Sequence, residues 1–331
     1  MKKSIFLFLA LVAGAINVFA DDCVKTDIGL DGTATITFAR YEHKNLTGLF
    51  SVSATEQVFF SQGNLQYQAS SGTWRFAEEQ YEIMGSDGYT HNGTVYSSGN
   101  STAYASRSTQ AKWIDLFGWA TSGWSESGAA VYEPWETTSS NSSYRESTDV
   151  AASLVGAYAE GDWAYHNAII NGGYTSAGPA SHGWRLLTDA EWQYIFKTRT
   201  NATDLCAFGS LMGVSGIFLL PDDWDWSAID GGAFETGWTS IETAKLFTNN
   251  VLTDAALWNT LETAGVVFLP TTGNRSNTVT RNADTYGYYW SSTDLNNIAS
   301  ARGVLFYSGV LSSPRNFNRE WGCAVRAVRD L

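Results

Sequence analysis

The chain is poor in the residues that build disulfide, zinc and nucleotide sites. It has three cysteines and four histidines among 331 residues, so at most one intramolecular disulfide can form and disulfides do not build the fold. No histidine has zinc-type spacing with another histidine or with a cysteine. The sequence also lacks a G-x-S-x-G segment, a P-loop and a dinucleotide-binding glycine motif between a strand and a helix. These absences argue against the common hydrolases, nucleotide-binding proteins and zinc proteins.

Charged residues are also scarce, and their balance is acidic. They make up 16% of the chain, and 33 Asp and Glu outnumber 20 Lys and Arg, which gives a net charge of −13. A chain with this charge is repelled by phosphate backbones and by anionic membrane surfaces. We therefore expect no nucleic-acid partner, whereas a cationic patch on another protein or a neutral sugar suits the charge.

Residues 1–20 are typical of a secretory signal segment. They contain two lysines, an apolar run from Ile5 to Ala15 and a small residue, Ala20, at the expected cleavage site. Cleavage removes the two lysines and no acid, so 18 basic residues face 33 acidic ones and the net charge becomes −15. No later segment has about 18 uninterrupted apolar residues, so we expect a secreted or cell-surface protein without membrane insertion. Lipid anchoring at Cys23 stays open, but the two aspartates before it do not match a standard lipobox.

Aromatic and small polar residues are abundant instead. Aromatic residues are 14% of the chain and include fourteen tryptophans, which predicts a loop-rich domain whose large rings fill the core. Residues 21–49 are weakly patterned, with one predicted strand at 33–39, and form a small N-terminal extension. Residues 50–331 are predicted to form one domain. It starts with alternating apolar and polar residues up to Phe76, and Ser70–Gly72 is a predicted hairpin turn.

Two near-copies lie further along the chain, at Gly216–Pro221 and Gly265–Pro270. Each predicts a short apolar strand that is stopped by proline. A helix fits between them, with Thr253 as its cap, Leu261 on its apolar face and Gly265 as its stop. Few helices among many short strands indicate the α+β class.

Another helix is predicted in the segment Gly183–Tyr194, which reads GWRLLTDAEWQY. Thr188 is a good N-cap because its hydroxyl can accept from the amide three residues on, while Glu191 can reach back to the cap amide. Trp192 follows on the buried face of this helix. A related segment, AVRAVRD, lies at Ala324–Asp330.

Together these two segments resemble the formylglycine-generating-enzyme (sulfatase-modifying factor) branch of the C-type-lectin fold. Members of that branch carry R-L-P-T-E-A-E-W-E-Y on a core helix and end in a G-F-R-x-V-R-D strand. Leu187 replaces the proline here, and Ala324 and Val325 replace Gly-Phe. The resemblance covers roughly residues 50–331 and implies short antiparallel strands, about two main helices and long loops. The matching positions are Arg185, Thr188, Ala190, Glu191, Trp192, Tyr194, Arg326, Val328, Arg329 and Asp330.

The resemblance implies a fold without the enzyme's chemistry. Formylglycine-generating enzymes use closely spaced cysteines, one of them in the terminal strand. That position is Ala327 here, Asn316–Trp321 contains no cysteine, and Cys323 has no cysteine near it in sequence. Without a thiolate pair, copper-dependent oxidation of a substrate cysteine has no starting point. We therefore expect no enzyme and no cofactor.

The acidic segment PDDWDW, residues 221–226, is the only segment whose sequence suggests a metal site. Asp222, Asp223 and Asp225 could supply oxygen ligands to calcium, but they lack the spacing and the glycine of an EF-hand loop. The favoured interpretation is a solvated acidic loop that caps the next turn, so no metal site is predicted.

Residues 288–331 place polar and aromatic positions between apolar anchors. This segment resembles the variable region of retroelement-diversified proteins of the same fold, in which adenine-directed mutagenesis alters asparagine codons at exposed positions. The resemblance implies a binding surface, where Tyr and Trp give contact area and Asn and Ser give adaptable hydrogen bonds. Trp321 fits less well, because an asparagine codon altered only at adenines cannot become tryptophan. The predicted ligand-binding residues are Asp294, Leu295, Asn296, Tyr307, Val310, Asn316, Asn318, Trp321 and Cys323.

The preferred hypothesis is an exported, non-catalytic binding protein whose ligand is a surface protein or a glycan. Two alternatives stay open. One is a degenerate oxidoreductase of the formylglycine-generating type, dependent on Cys206 and Cys323. The other is a structural adhesin subunit that docks with a partner through the strand at 33–39.

Overall fold

A computed structural model gives the fold of the chain, which divides into two compact units, Met1–Lys44 and Asn45–Leu331. The predicted signal segment, residues 1–20, lies outside the described residues. Those residues are 23–28, 34–39, 46–101, 111–124, 134–135, 152–172, 183–229, 233–296 and 299–331.

The first unit contains an antiparallel hairpin. Strand β1 (Cys23–Ile28) pairs with β2 (Ala34–Ala39), with Cys23 opposite Ala39. The sequence predicted only the second of these strands. The first one was missed because Lys25 and Asp27 interrupt its apolar pattern.

The second unit has a mixed α+β architecture with mostly antiparallel strands and few helices. Among the described residues, no helix combines the length and the apolar character needed to cross a bilayer. In the described part of this unit the α-helices are α1 (Trp163–His166), α2 (Asp189–Gln193), α3 (Ala233–Gly237) and α4 (Ala255–Thr263), and a π-helical turn at Tyr194–Thr198 extends α2. Two short 3-10 helices lie at Gly156–Gly161 and Trp226–Ala228. The strands are β3 (Phe50–Ser51), β4 (Gln57–Phe60), β5 (Leu65–Gln68), β6 (Thr73–Phe76), β7 (Thr90–His91), β8 (Thr94–Val95), β9 (Trp113–Ile114), β10 (Trp184–Leu186), β11 (Cys206–Leu211), β12 (Val214–Leu219), β13 (Val251–Leu252), β14 (Val267–Pro270), β15 (Asn274–Ser276), β16 (Val279–Arg281), β17 (Tyr286–Asp294), β18 (Ser300–Tyr307), β19 (Val310–Asn318) and β20 (Ala327–Asp330).

The central sheet has the order β10-β20-β4-β3 and brings the two motif segments together. Arg185 of β10 pairs with Val328 of β20, and β20 pairs on its other side with β4. The Arg185 guanidinium donates to Glu191 at 2.7 Å and to Asp330 at 2.6 Å. One side chain therefore joins the start of α2 to the terminal strand.

The predicted capping box at the start of α2 is confirmed. The Thr188 hydroxyl accepts from the Glu191 amide at 3.2 Å, and the Glu191 carboxylate accepts from the Thr188 amide at 2.6 Å. The predicted hairpin is also confirmed, because β5 and β6 pair around the turn at Ser70–Gly72. Both features depend only on residues a few positions apart.

The two near-copies form neighbouring strands of a second sheet, ordered β13-β11-β12-β14. The predicted helix between them, α4, begins one residue later than expected. Its cap is Asp254 and not Thr253, because the Asp254 carboxylate accepts from the amides of Ala256 and Leu257 at 2.8 and 3.2 Å. The buried face of α4 carries Trp258 and Leu261.

Three clusters of buried side chains form the core. The first contains Trp192 and Val328, and the third contains Phe218 and Trp258. The second contains many large rings, which include Trp74, Trp119, Trp163 and Trp290. The aromatic content therefore does fill the interior, as the composition predicts.

Gly265 ends helix α4 and lies directly against Gly48. It has φ +93°, and the amide of Val266 donates back to the Leu261 carbonyl at 3.0 Å, as in a Schellman turn. A Cβ atom added at Gly265 would lie 2.4 Å from the α-carbon of Gly48. Both the backbone conformation and the close approach of the two segments therefore require glycine.

We expect Gly265→Ala to lower the free energy of unfolding by at least about 3 kcal/mol, because backbone strain and a backbone clash add together. Gly72→Ala is the matched control, since Gly72 has φ +64° but nothing within 4 Å of the added Cβ. The control should lose about 1 kcal/mol. Urea unfolding measures both changes, and equal losses in the two variants would contradict the role of the Gly48 contact.

Candidate ligand-binding surface

The predicted binding segment folds as a three-stranded antiparallel sheet, β17-β18-β19, with β18 in the middle. One face is directed into the first core cluster through Tyr289, Val304 and Phe306. On the other face, Trp290 and Leu305 belong to the second cluster. Because core side chains hold the sheet on both faces, it offers a rigid support for the side chains at its margins.

Five aromatic side chains form a continuous group on the second face, here called the aromatic strip: Tyr286, Tyr288, Tyr307, Phe317 and Trp321. The Tyr286 and Tyr307 rings stack with centroids 4.5 Å apart, and Tyr286 stacks on Tyr288 at 6.0 Å. At the other end, Phe317 stacks on Trp321 at 6.3 Å. Tyr286, Tyr307 and Trp321 are partly exposed, whereas Tyr288 and Phe317 are buried beneath them. The strip therefore has an accessible aromatic surface on a buried aromatic base.

One apolar, one charged and one amide side chain lie beside the strip. Val310 is opposite Tyr307 in the sheet register, and Arg315 is exposed on the same strand as Val310. Burial raises the pKa of Tyr288, and a hydrogen bond from Asn282 and the charge of Arg315 oppose that shift. The Tyr288 phenol therefore stays protonated at neutral pH and accepts from the Asn282 amide at 3.4 Å.

Three of the nine predicted residues, Tyr307, Val310 and Trp321, lie on or beside the strip. Asn316 and Asn318 alternate with Phe317 and so point to the opposite face of β19. There the Asn316 amide oxygen accepts from Arg302 at 2.6 Å. An open notch of about 400 Å³ is lined by Arg302, Pro314, Arg315 and Asn316.

Leu295 and Asn296 follow the end of β17, where Leu295 is half-buried and Asn296 is exposed. The Asn296 amide donates to the Asp294 carboxylate at 2.7 Å. These two positions therefore lie at a loop beyond the sheet and not among the aromatic rings.

The prediction that Asp294 and Cys323 lie at the surface was wrong. Asp294 is 9% exposed and forms an ion pair with Arg319, which is itself 0% exposed. The Arg319 guanidinium also lies 4.5 Å from the centre of the Trp119 ring. Cys323 is 0% exposed because it packs in the second core cluster, where its backbone also bonds in both directions with Phe117, at 2.9 and 3.0 Å. Neither side chain can contact a ligand at the surface.

Sequence reasoning missed Tyr286, although a signal was available. Tyr286 and Tyr288 are two residues apart on one strand, so the period of a β-strand places them on the same face. Tyr286 is the residue that joins Tyr307 to the rest of the strip.

Two cysteine side chains, Cys206 and Cys323, have an environment that disfavours thiolates. Burial raises the pKa of Cys206, although the nearby Arg199 opposes the shift, and burial raises the pKa of Cys323 well above its usual range. Both are free thiols and buried. A buried protonated thiol is a poor nucleophile and a poor metal ligand.

The acidic segment after β12 cross-links the fold. The Asp222 carboxylate accepts from the Ser51 hydroxyl at 2.6 Å and from Gln57 at 2.9 Å, and it pairs with Arg199 at 3.1 Å. Burial acts to raise its pKa, but these bonds outweigh burial and the pKa is lowered. Asp225 caps the following turn at Ser227, as the sequence predicts. In the described part of the chain, no group of three or more His, Cys, Asp and Glu could hold a metal ion.

Two other carboxylates are fully buried. Burial raises the pKa of Asp115 to about 6 and that of Asp162 to about 7. Asp162 accepts from the amides of Ala164 at 2.9 Å and Leu186 at 2.5 Å, which joins the start of α1 to β10. Asp115 accepts from the Met84 amide at 2.9 Å. Their backbone partners give both residues a structural role.

No protein-family profile, curated protein or solved structure matches this chain. The function is therefore argued from the geometry of the aromatic strip itself.

Removing the Asp294 carboxylate should lower the free energy of unfolding by about 3–5 kcal/mol, because it leaves the Arg319 charge buried without its carboxylate. We expect this loss in Asp294→Ala and a recovery of stability when Arg319→Met is added. Ser308→Ala, at an exposed turn of the same sheet, is the control and should change stability by less than about 0.5 kcal/mol. Thermal and urea unfolding measure all three variants. If Asp294→Ala behaves like the control, position 294 is a tolerant surface position after all.

The contribution of Asp115 and Asp162 to stability should fall as the pH rises from about 4 to their folded pKa values. Burial raises these pKa values from 3.8 to about 6 for Asp115 and to about 7 for Asp162. Below those values each folded carboxyl group keeps its proton, while the unfolded chain has already lost it. The folded state then binds more protons, so each group lowers stability by at most about 1.4 kcal/mol per pH unit. Asp162→Asn should show a weaker dependence than the wild type in urea unfolding at pH 5 and pH 7.5. An unchanged pH dependence in this variant would contradict the assignment.

Proposed function

We propose that the protein is an exported, non-catalytic recognition protein of C-type-lectin-like fold that binds its ligand through the aromatic strip. The observation that carries the proposal is the accessible stack of Tyr286 and Tyr307, 4.5 Å apart, at the margin of a sheet buried on both faces. Burial of exposed aromatic rings is a strong source of binding energy, and a rigid support reduces the entropy lost on binding.

The lectin-like part of the proposal is supported by the contact between the two motif segments. The strand that leads into α2 pairs directly with β20, and Arg185 joins both to Glu191 and Asp330. The motif residues therefore have a physical role in this chain, because they close the central sheet.

A protein surface is the favoured ligand of the strip, and a glycan is the other candidate. Tyr, Trp and Arg are the residues that most often dominate the energy of protein interfaces, and here they occur together as Tyr307, Trp321 and Arg315. Ser312 of β19 is small, polar and partly exposed, as expected for the rim of an interface. The positive charge of Arg315 in a chain of net charge −13 adds a local attraction for an acidic group of the partner.

Diversification by a retroelement belongs to this proposal as a narrower hypothesis. It is supported by the exposure of seven of the nine candidate positions, because variable positions need to reach solvent, whereas the buried Asp294 and Cys323 do not fit it. The hypothesis requires a near-identical copy of the codons for residues 288–331, differing only at adenines, beside a reverse-transcriptase gene. Genomic sequence without such a copy leaves a binding protein of fixed specificity. The candidate positions that are at least partly exposed are Leu295, Asn296, Tyr307, Val310, Asn316, Asn318 and Trp321.

We expect Tyr307→Ala and Trp321→Ala each to raise the Kd for the ligand at least about thirtyfold, because each removes a ring from the accessible part of the strip. Ser312→Ala is the control, because Ser312 lies on β19 outside the aromatic strip, and it should change the Kd less than about threefold. Ligands are first selected with the full mature chain on an array of recombinant cell-surface proteins and glycans, and affinities are then measured by surface plasmon resonance. Circular dichroism checks that each variant is folded. Equal binding by the wild type and both aromatic variants would exclude the strip as the binding surface.

A further inference from the structure

The edge strand β19 carries the open notch of about 400 Å³ that Arg302, Pro314, Arg315 and Asn316 line. Among the described strands β19 pairs only with β18, so no strand covers its outer edge. Arg302 lies opposite Asn316 in the register and therefore on the same face of the sheet, whereas Arg315 alternates with Asn316 and belongs to the other face. The two arginines therefore reach the notch from opposite sides of the open edge.

The notch is positively charged, and its lining contains no acidic residue. Elsewhere in the fold Arg185, Arg199 and Arg319 each form an ion pair with a carboxylate. Neither Arg302 nor Arg315 forms one with a described residue. In a chain of net charge −13, two neighbouring arginines without an acidic partner are a local site for an anion.

Asp189, at the start of α2, does not neutralise the notch. One of its carboxylate oxygens is buried without a partner among the described residues, and the other accepts from Gln193 at 3.3 Å. Burial raises the pKa of Asp189, and the charges of Arg302 and Lys197 oppose that shift. The Lys197 ammonium also donates to the Ser313 carbonyl of β19. A third positive charge therefore lies beside the notch.

The Arg302 guanidinium is oriented by the fold but keeps unused donors. It donates to the Asn316 amide oxygen at 2.6 Å, which is one of the five N–H groups that a guanidinium holds in a planar fork. The side chains of Arg302 and Arg315 form no other hydrogen bond with described residues. A donor that is already oriented loses less entropy when a ligand binds. The two arginines therefore offer charged donors to one acceptor group.

Pro314 makes side chains, and not the backbone, the means of recognition at this edge. An open edge strand can accept a further strand from a partner through its backbone hydrogen-bonding groups. Proline has no backbone N–H and protects an edge from such pairing, and the neighbouring Ser313 carbonyl already accepts from Lys197. A partner therefore meets the arginine side chains at the notch.

We propose that the notch binds the carboxylate of an aspartate or glutamate side chain on the protein partner. A carboxylate can accept two parallel N–H groups from a guanidinium, and such charge-assisted bonds are about twice as strong as neutral ones. Among anionic groups, it is the one that a protein carries on its ordinary side chains. The net negative charge of the chain does not prevent this contact, because charges more than about 8 Å apart are largely screened at physiological salt.

The carboxylate site rests on the proposed function, since it adds a charged anchor beside the aromatic strip. Arg315 borders both places, because it lines the notch and its charge acts on the Tyr288 phenol of the strip. The partner then presents an acidic side chain next to the apolar surface that covers the rings. The notch supplies charge selectivity, whereas the strip supplies contact area.

The test is an NMR titration of the isotope-labelled full mature chain that follows the arginine Nε–H signals. The probe is the peptide acetyl-Gly-Glu-Gly-Glu-Gly-amide, and its neutral match is acetyl-Gly-Gln-Gly-Gln-Gly-amide. We expect the acidic peptide to shift the signals of Arg302 and Arg315 to saturation and the neutral peptide to leave them unchanged. Raising the salt concentration from about 0.05 M to about 0.3 M should weaken the binding.

Arg302→Gln and Arg315→Gln should each raise the Kd for the acidic peptide at least about tenfold, because each removes a charged donor. Arg302→Lys keeps the charge without the planar fork and should raise the Kd about threefold. Arg281→Gln is the matched control, since it removes an exposed positive charge on β16 outside the notch. It should change the Kd less than about twofold. Thermal unfolding checks that each variant is folded.

The absence of a saturable shift with the acidic peptide overturns the proposal, as does equal binding of the neutral peptide or an equal loss in Arg281→Gln. Sulfate and phosphate at the same ionic strength are further probes, and tighter binding of either one rejects the assignment to a protein carboxylate. Tyr307→Ala and Trp321→Ala should leave the peptide shifts unchanged. The strip can therefore fail its own test while the notch still binds the acidic peptide, and the reverse result is equally distinct.

Discussion

The structure depends on the ionic contact of one arginine, because Arg185 holds three parts of the fold together. Its guanidinium contacts Glu191, which completes the cap of α2, and Asp330 of the last strand. Glu191 is only 13% exposed at its side chain, whereas Asp330 is 65% exposed. The inner contact is therefore less screened by water and contributes more to stability than the outer one. Helix α2, β10 and β20 are thus oriented by one side chain.

The packing of the sheet β17-β18-β19 explains why the aromatic strip can be both rigid and accessible. The sheet β17-β18-β19 lies between two core clusters, so its backbone is held from both sides while the rings at its margin remain partly in water. In the strip a buried aromatic base supports an exposed aromatic surface, so Trp321 has a role beyond filling the core.

Sequence reasoning succeeded where a few neighbouring residues decide the structure and failed where distant partners do. The Thr188 capping box was predictable because both of its members lie within one helical turn. The role of Asp294 was not, because it is set by Arg319, 25 positions away, and an aspartate beside asparagines looks the same whether it is paired or solvated. Burial of Cys323 depends on the second core cluster, whose side chains come from distant parts of the chain, such as Phe117 and Trp163. Long-range pairing and desolvation therefore account for the misses.

The central position of β20 has a consequence for how the chain matures. Its neighbour β4 lies about 270 positions earlier, at Gln57–Phe60, so the central sheet cannot close until residues 327–330 have left the ribosome. Such distant pairing slows folding and keeps the growing chain open. Until then β4 is paired only with β3 and keeps one open edge. An open strand edge can pair with the wrong segment or with another chain, so the arrival of β20 also removes a site of misassembly.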